Sequence, residues 1–341
     1  MEKKVKNPLK SLLTIVISLA IAGFFLWFAL KDFDYVSFQK SISKANYWWV
    51  LFAACFGIAA YWFRAIRWNL MLEPMGYQIS NSNSLWSLSF GYLMNLTIPR
   101  SGEVARATAL YGVEKVPVDQ SFGTIILERV VDLVCMLAFL ALTLIFKGDV
   151  ILSFYKNSGI NINPNKIILI IGILVLGAIL FFVFKKRLAN VPVLDKIINF
   201  IDGIMKGLTS IFKLKQKGKF ILYTIGIWVS YYFAAYLVCF ALPETSNFTF
   251  DDGFLILVVG TLGMIVPASG GIGAFNLAMK YGFMALFISM GKSGQLGGEI
   301  GLTYSFISLP LQIVIMMVMG LISIPMLAKA RNKAVAEKEF K

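Results

Sequence analysis

Two apolar segments of this 341-residue chain are interrupted by the same short sequence. The first covers residues 91–112 and the second covers residues 261–282, and each contains a Pro-x-Ser-Gly sequence, which begins at Pro99 and at Pro267. Proline lacks a backbone donor and glycine adopts positive φ readily, so we expect non-helical backbone between two helical arms in both segments. In lipid, such backbone is tolerated only where protein buries it or where it lines a wet cavity.

The composition indicates an all-α polytopic membrane protein, since 58% of the residues are hydrophobic and 15% are charged. The chain contains no histidine, which excludes Ser-His-Asp catalysis, histidine-ligated metals and histidine proton relays. Its three cysteines lack CxxC spacing, so no disulfide framework is indicated. We therefore expect no cofactor and no bound metal.

Six apolar stretches are predicted to be full membrane spans. They cover residues 11–30, 46–66, 117–146, 166–184, 219–241 and 297–327. Lys and Arg are concentrated at the N-terminus, in the 185–219 connection and in the 328–341 tail, whereas all charged residues of the 243–252 loop are acidic. Because cytoplasmic loops are enriched in Lys and Arg, both termini are predicted to be cytoplasmic in a multi-pass protein of the cell membrane. The net charge of +14 then sets orientation and does not indicate nucleic-acid binding.

An even number of full spans agrees with two cytoplasmic termini if each interrupted segment is a re-entrant hairpin. The first hairpin (84–112) would enter and leave from the cytoplasm, and the second (252–290) from the outside. The single membrane domain, 1–341, would then consist of two inverted repeats, 1–148 and 149–330, whose hairpin tips meet near the midplane. This arrangement is typical of secondary transporters.

Three other segments have ordinary structural interpretations. Residues 195–215 carry isoleucines at helical spacing with lysines mostly off that stripe, which predicts an amphipathic helix on the membrane surface. Residues 274–290 are long enough to be counted as a span instead of half a hairpin. Gly297 and Gly301 have the spacing of a helix-packing face.

Three charged residues lie inside the third span. Glu128 and Asp132 are four residues apart, and Arg129 and Asp132 are three apart, so a helix brings these side chains to neighbouring positions. A charge at the bilayer centre costs ~2.5–3.5 kcal/mol, so these side chains should face protein or water. They either form an ion-pair network that fixes the span to the first hairpin, or contact a substrate or coupling ion. Arg64 and Arg67, at the cytoplasmic end of the second span, are expected to snorkel to the surface.

The tip of the first hairpin is a candidate phosphate site. Arg100 follows the proline, and a helix that restarts at Ser101 and Gly102 would direct free N–H groups to the same place. Glu103 and Arg106 follow within this helix. Arginine beside a helix N-terminus suits a phosphate. Alternatively, Arg106 pairs with Glu103 or with the acids of the third span and only holds the hairpin.

The tip of the second hairpin is rich in glycine. Ser269, Gly270, Gly271 and Gly273 permit close backbone approach and could expose N–H groups to a phosphate or an anionic headgroup. The alternative is that these glycines allow close packing of the second hairpin against the first.

At these residues the chain resembles the flippase-like membrane domain of lysylphosphatidylglycerol synthases. Four ordered motifs carry the resemblance: RAIRW, PRSGEVAR, ERVVDL and VPASGGIGAF. The resemblance implies a domain that moves an aminoacylated or otherwise modified lipid between leaflets. The family usually has a glutamate at the position of Asn276. Asn276 is therefore a candidate contact, and a cation or aminoacyl site that depends on the carboxylate of that glutamate would be altered in this chain. The family's aminoacyl-transfer domain is not found in the sequence, so we expect a standalone member.

The sequence therefore predicts a lipid flippase or translocase with a polar central cavity, and not an enzyme. Arg100 and Arg106 would contact a lipid phosphate, and Glu128 and Asp132 would bind a cationic group or order the arginines. The expected partners are membrane lipids with an anionic or modified headgroup, a second copy of the chain or a separate lipid-modifying enzyme, and no nucleic acid.

Two alternatives remain open at this point. A membrane phosphatase acting on a polyprenyl pyrophosphate also uses re-entrant hairpins with Ser, Arg and Gly at their tips. The lack of histidine and of an acid at the second tip disfavours it. The other alternative is a membrane partner of a lipid-modifying enzyme that transports nothing itself.

Overall fold

A computed structural model describes residues 8–30, 34–98, 101–157, 214–266 and 269–339, which form α-helices joined by short turns. The helices are α1 (Pro8–Ala29), α2 (Tyr35–Ser43), α3 (Tyr47–Leu72), α4 (Asn81–Thr97), α5 (Gly102–Glu114), α6 (Val118–Asn157), α7 (Lys217–Cys239), α8 (Phe250–Ile265), α9 (Ala274–Ser289) and α10 (Gly294–Glu339). Short 3₁₀ turns lie at Glu73–Met75, Pro243–Thr245 and Ser269–Gly271. Within these ranges the structure contains no strand.

Four stretches of helix are long and apolar enough to cross a bilayer, and the chain is therefore a helical membrane protein. They are Tyr47–Met75, Val118–Phe154, Lys217–Cys239 and Gly294–Lys333, and they coincide with four of the six predicted spans. The predicted span at 11–30 coincides with α1, of which Val16–Ala29 is a shorter apolar helix. The predicted span at 166–184 and nearly all of the predicted surface helix at 195–215 lie outside the described residues.

The first interrupted segment is a helical hairpin. The predicted break is confirmed, because α4 ends at Thr97 and α5 begins at Gly102. Near the tip, a methyl group added to Gly91 would lie 2.7 Å from the carbonyl oxygen of Gly102. At the open end, Asn83 Nδ2 donates to Glu114 Oε1 at 2.8 Å. The two arms therefore run antiparallel, and glycine lets their backbones approach closely.

The second interrupted segment has the same form. The predicted break is again confirmed, since α8 ends at Ile265 and α9 begins after Gly273. A methyl group on Gly263 would lie 2.9 Å from Ala278 Cβ, and one on Gly282 would lie 3.0 Å from Val259 Cγ1. These contacts pair the arms in antiparallel order.

The two breaks are neighbours in space. The Ser269–Gly271 turn of the second hairpin packs against α4 of the first hairpin and against α1. A methyl group on Gly270 would lie 3.8 Å from Leu96 Cδ2, close to the end of α4. The two hairpins therefore contact each other close to their breaks.

The packing of the helices follows one pattern in both halves of the chain. Helix α3 packs along its counterpart α7. Helix α4 packs on α10 in the same way that α8 packs on α6. Helix α5 packs on α6 in the same way that α9 packs on α10. The predicted packing face of α10 is confirmed, because Gly297 and Gly301 lie against the backbone of α9. Exchanging α3, α4, α5 and α6 for α7, α8, α9 and α10 therefore reproduces these contacts, whereas the packing of α3 on α10 has no comparable counterpart between α7 and α6.

Helix α6 changes direction at Lys147, whose φ of −130° is not helical. Lys147 Nζ lies 2.7 Å from Asp251 Oδ2 and 2.6 Å from Asp252 Oδ1, at the start of α8. Asp252 is buried and its carboxylate also accepts from the backbone N–H and the hydroxyl of Thr249. This ion pair fixes the kink of α6 to the entry of the second hairpin.

Candidate functional site

A cluster of buried charges lies where α3, α5 and α6 meet. Its members are Arg64, Arg67, Arg106, Glu128 and Asp132. The side chains of the first four are at most 4% exposed, and that of Asp132 is 14% exposed. The sequence of α3 places two arginines three residues apart, and that of α6 places two acids four residues apart, so each helix presents its charges on one face.

Each carboxylate in the cluster is shared between arginines. Asp132 Oδ2 accepts from Arg64 Nη2 at 2.9 Å, and Asp132 Oδ1 accepts from Arg67 Nη2 at 2.9 Å. Glu128 Oε1 accepts from Arg64 Nη1, and Glu128 Oε2 lies 3.0 Å from Arg106 Nη1. Among the residues that the structure describes, three arginines against two carboxylates leave one positive charge of the cluster uncompensated.

Aromatic and hydroxyl groups support the arginines from behind. The guanidinium of Arg106 stacks on the ring of Trp68 at 3.7 Å, and Trp68 Nε1 donates to Thr124 Oγ1 at 2.8 Å. Arg67 Nη1 donates to Thr224 Oγ1 at 3.3 Å. A cation over an aromatic face is attracted by the ring quadrupole, so these contacts offset part of the desolvation of the arginines.

The expectation that Arg64 and Arg67 snorkel to the surface is wrong. They are 3% and 0% exposed and form the arginine side of the buried cluster. Their position near the helix end suggested the membrane surface, but α6 packs against α3 and carries the matching acids, Glu128 and Asp132. The three-residue spacing, which puts both arginines on one helix face, is the signal that could have identified them.

Arg129 lies at the edge of this cluster and is the accessible arginine of the third span. Its side chain is 46% exposed, and its guanidinium lies 3.4 Å from Glu103 Oε1 and 3.9 Å from Asp132 Oδ2. Asp132 therefore has closer partners in Arg64 and Arg67 than in Arg129.

A cavity of about 460 Å³ opens beside the cluster. One part of its wall is polar, and the residues there are Tyr61, Arg64, Tyr92, Arg129, Asp132 and Tyr231. The rest is mostly apolar and comes from α3 and from α6 to α10, with Met136, Trp228, Ile256, Met264 and Phe275 among its residues. Both hairpins contribute to this wall through α4, α8 and α9. The cavity therefore offers a charged region next to a hydrophobic one.

Several polar groups around the cavity lack a protein partner. The Tyr61 hydroxyl, Trp228 Nε1 and Arg64 Nε are buried and make no hydrogen bond with the described residues. Buried polar groups in proteins are nearly always hydrogen-bonded, so unpaired donors on a cavity wall point to a bound partner.

The described site residues of the first hairpin bond to other groups of the protein and do not form the predicted phosphate site. The Ser101 hydroxyl bonds to the carbonyl oxygens of Met94 and Ile98 at 3.0 and 2.7 Å. The Gly102 N–H donates to Asn95 Oδ1 at 2.7 Å, so this amide is capped and not free for an anion. Arg106 and Glu128 lie in the buried cluster behind the cavity wall. Arg100 is outside the described residues.

The second hairpin uses its glycines for backbone conformation and packing. Gly270, Gly271 and Gly273 have φ of 61°, 75° and 82°. A methyl group on Gly273 would overlap the backbone of α1 at Ala22, so the closest approach is to α1 and not to the first hairpin. The Ser269 side chain is outside the described residues.

Asn276 caps helix α9. Its Oδ1 accepts from the Gly273 N–H at 2.9 Å, and its Nδ2 donates to Ser305 Oγ at 2.7 Å. Asn276 is 2% exposed and does not line the cavity. The described residues contain no group of three His, Cys, Asp or Glu that could hold a metal ion.

The fold and the site define a polytopic helical membrane protein with buried ion pairs beside an amphipathic cavity. The family described as the lysylphosphatidylglycerol synthase TM region matches residues 15–316, and the chain belongs to this family. The resemblance found in the sequence is thereby confirmed. No curated protein and no solved structure matches the chain significantly.

Proposed function

We propose that this protein moves a lipid with a polar headgroup between the two leaflets of the cell membrane. The observation that carries the proposal is the cavity of about 460 Å³ with a charged region and a hydrophobic region. A lipid has the same two parts, and ligand sites are typically concave, largely apolar and supplied with a few polar groups.

The topology we propose has six full spans and two re-entrant hairpins, with both termini in the cytoplasm. The hairpin arms α4, α5, α8 and α9 contain 17, 13, 16 and 16 residues. At ~1.5 Å per residue, each arm is about 20–26 Å long, which is shorter than a ~30 Å hydrocarbon core. The short arms and the exchangeable packing of the two halves support inverted repeats with hairpin tips inside the membrane.

The site residues would act in two layers. Arg64 and Arg129 line the cavity and would contact the headgroup phosphate. Glu128 and Arg106 lie behind them and would position Arg64 through their ion pairs. Arg100 and the remaining amides of the first hairpin tip stay candidate contacts from the sequence.

Translocation of fluorescent lipids in proteoliposomes tests the proposal. Anionic, aminoacylated and polyprenyl-linked lipids should be compared, and at least one should move faster with the protein than without it. Ala234 lines the cavity, so Ala234→Trp should reduce movement towards the protein-free rate. Ala138 is exposed on α6 and does not line the cavity, so Ala138→Trp is the matched control. Equal rates with and without protein for every lipid would refute transport.

A second candidate is a membrane partner of a lipid-modifying enzyme without transport activity, and the description of the family favours it. Co-purification of such an enzyme with the chain, together with unchanged lipid movement in Ala234→Trp, would support this candidate. A polyprenyl-pyrophosphate phosphatase would instead release phosphate in a way that Arg100→Ala abolishes.

A further inference from the structure

We infer that the cavity selects an anionic phosphodiester lipid whose headgroup is otherwise neutral, and that it disfavours a headgroup with an ammonium group. The inference rests on the proposed function, because it takes the occupant of the cavity to be a lipid. It concerns the charge of the substrate, which the family description does not specify for this chain.

The carboxylate on the cavity wall is already occupied. Among the described residues that line the cavity, Asp132 is the acid, and each of its oxygens accepts from an arginine at 2.9 Å. Glu103 lies in the adjacent groove, where its Oε1 faces Arg129 at 3.4 Å. An ammonium group would therefore meet arginines wherever it approached a carboxylate, and like charges at short distance repel.

The groups that remain available on the wall are donors. Arg129 is half-exposed, and its ion-pair contacts within the described part of the chain are long, at 3.4 and 3.9 Å. Trp228 Nε1 is a buried donor without a partner among the described residues, and the Tyr61 hydroxyl can donate as well. A phosphodiester presents acceptor oxygens and one negative charge, which match these donors and the net positive charge of the described residues in the cluster.

The three tyrosine rings on the polar part of the wall do not provide an alternative site for a cation. Tyr61 and Tyr92 pack on each other with ring centroids 4.9 Å apart. The ring of Tyr231 is already near the Arg64 guanidinium, 5.7 Å from its centroid. A lipid ammonium placed there would compete with Arg64 for the ring and would be repelled by it.

Binding to the purified full chain in detergent tests the inference. Short-chain phosphatidylglycerol, its lysyl ester and phosphatidylcholine are compared, with glycerol 3-phosphate as a probe without acyl chains. Phosphatidylglycerol should bind roughly tenfold tighter than its lysyl ester, and Arg129→Gln should weaken its binding roughly tenfold, because one charge-assisted hydrogen bond is lost. Arg331 is exposed at the far end of α10, and Arg331→Gln is the matched control.

A variant that preserves the charge gives an independent measurement. Tyr61→Phe removes the unpartnered hydroxyl with little change of shape and should weaken phosphatidylglycerol binding severalfold. Equal or tighter binding of the lysyl ester would overturn the inference, as would unchanged phosphatidylglycerol binding in both variants. Binding of glycerol 3-phosphate as tight as that of the lipid would overturn the assignment of a lipid.

Transport separates this inference from the proposed function. Selective binding of phosphatidylglycerol without any lipid movement in proteoliposomes would support the inference and refute translocation. Movement of both phosphatidylglycerol and its lysyl ester at equal rates would support translocation and overturn the inference.

Discussion

Neutralising the buried Glu128 should destabilise the protein more than neutralising the partly exposed Glu103. Glu128 is 0% exposed and lies against Arg64 and Arg106, with Arg67 Nη2 at 3.8 Å. Glu128→Gln keeps the shape of the side chain but removes its charge. The three arginines would then share Asp132 alone, and the uncompensated charge of the cluster would rise from one to two.

The size of the effect follows from the burial. Removing one partner of a buried ion pair costs ~3–5 kcal/mol, because the charge that remains is buried without compensation. An unfolding entropy of ~2.1 cal/mol/K per residue gives roughly 0.7 kcal/mol/K for 341 residues. We therefore expect Glu128→Gln to lower the unfolding temperature by roughly 4–7 °C.

Thermal unfolding in detergent measures this shift, and Glu103→Gln is the control. Glu103 is 29% exposed and its contact to Arg129 is 3.4 Å, so its loss should cost only ~0–1 kcal/mol. Adding Arg106→Gln to Glu128→Gln restores the charge balance and should recover part of the loss. The reasoning fails if Glu128→Gln and Glu103→Gln shift the unfolding temperature equally.

Three further substitutions test single contacts by the same measurement. Asn276→Asp keeps the capping oxygen but removes the buried amide donor to Ser305, and should cost ~1–3 kcal/mol; an unchanged unfolding temperature would contradict a stabilising role of this hydrogen bond. Gly273→Ala should cost ~1–3 kcal/mol, since φ is 82° and the methyl group meets α1, whereas Gly112→Ala has open space in a helix and should be neutral or stabilising. Asp252→Asn should destabilise more than Asp251→Asn, because the two carboxylates are 0% and 37% exposed; the reverse order would refute the buried pair with Lys147.

Much of the fold could be predicted from local chemistry. Proline and glycine at the two Pro-x-Ser-Gly sequences interrupt a helix in any environment, so the breaks after Thr97 and Ile265 follow from the residues themselves. The partner of each break could not be predicted in the same way. Gly273 packs against α1, which is some 250 residues earlier in the chain, and hydrophobic periodicity does not encode such a contact.

The candidate site was predicted in part. Glu128 and Asp132 could be identified as inward-facing, because a charge inside an apolar span needs a partner. Their partners could not be identified, because Arg64 and Arg67 lie near the end of a span, where arginine is common for reasons of orientation. The hairpin amides were predicted to be free, but the amide of Gly102 donates to Asn95, near the end of α4, and that of Gly273 donates to Asn276, in the first turn of α9.

The excess arginine connects stability with the proposed ligand. An anionic headgroup that binds beside the cluster would compensate its remaining positive charge, and a ligand at 100 times its dissociation constant stabilises the folded state by ~2.7 kcal/mol. Phosphatidylglycerol should therefore raise the unfolding temperature of the unaltered protein by roughly 4 °C. It should raise that of Glu128→Gln by more, because this variant has two uncompensated charges beside the cavity. Unfolding measured in both proteins with increasing phosphatidylglycerol, and with phosphatidylcholine as the neutral control, gives the two shifts. If the two proteins gain equally from the anionic lipid, the cluster does not sense the headgroup, and its charges serve only to hold α3, α5 and α6 together.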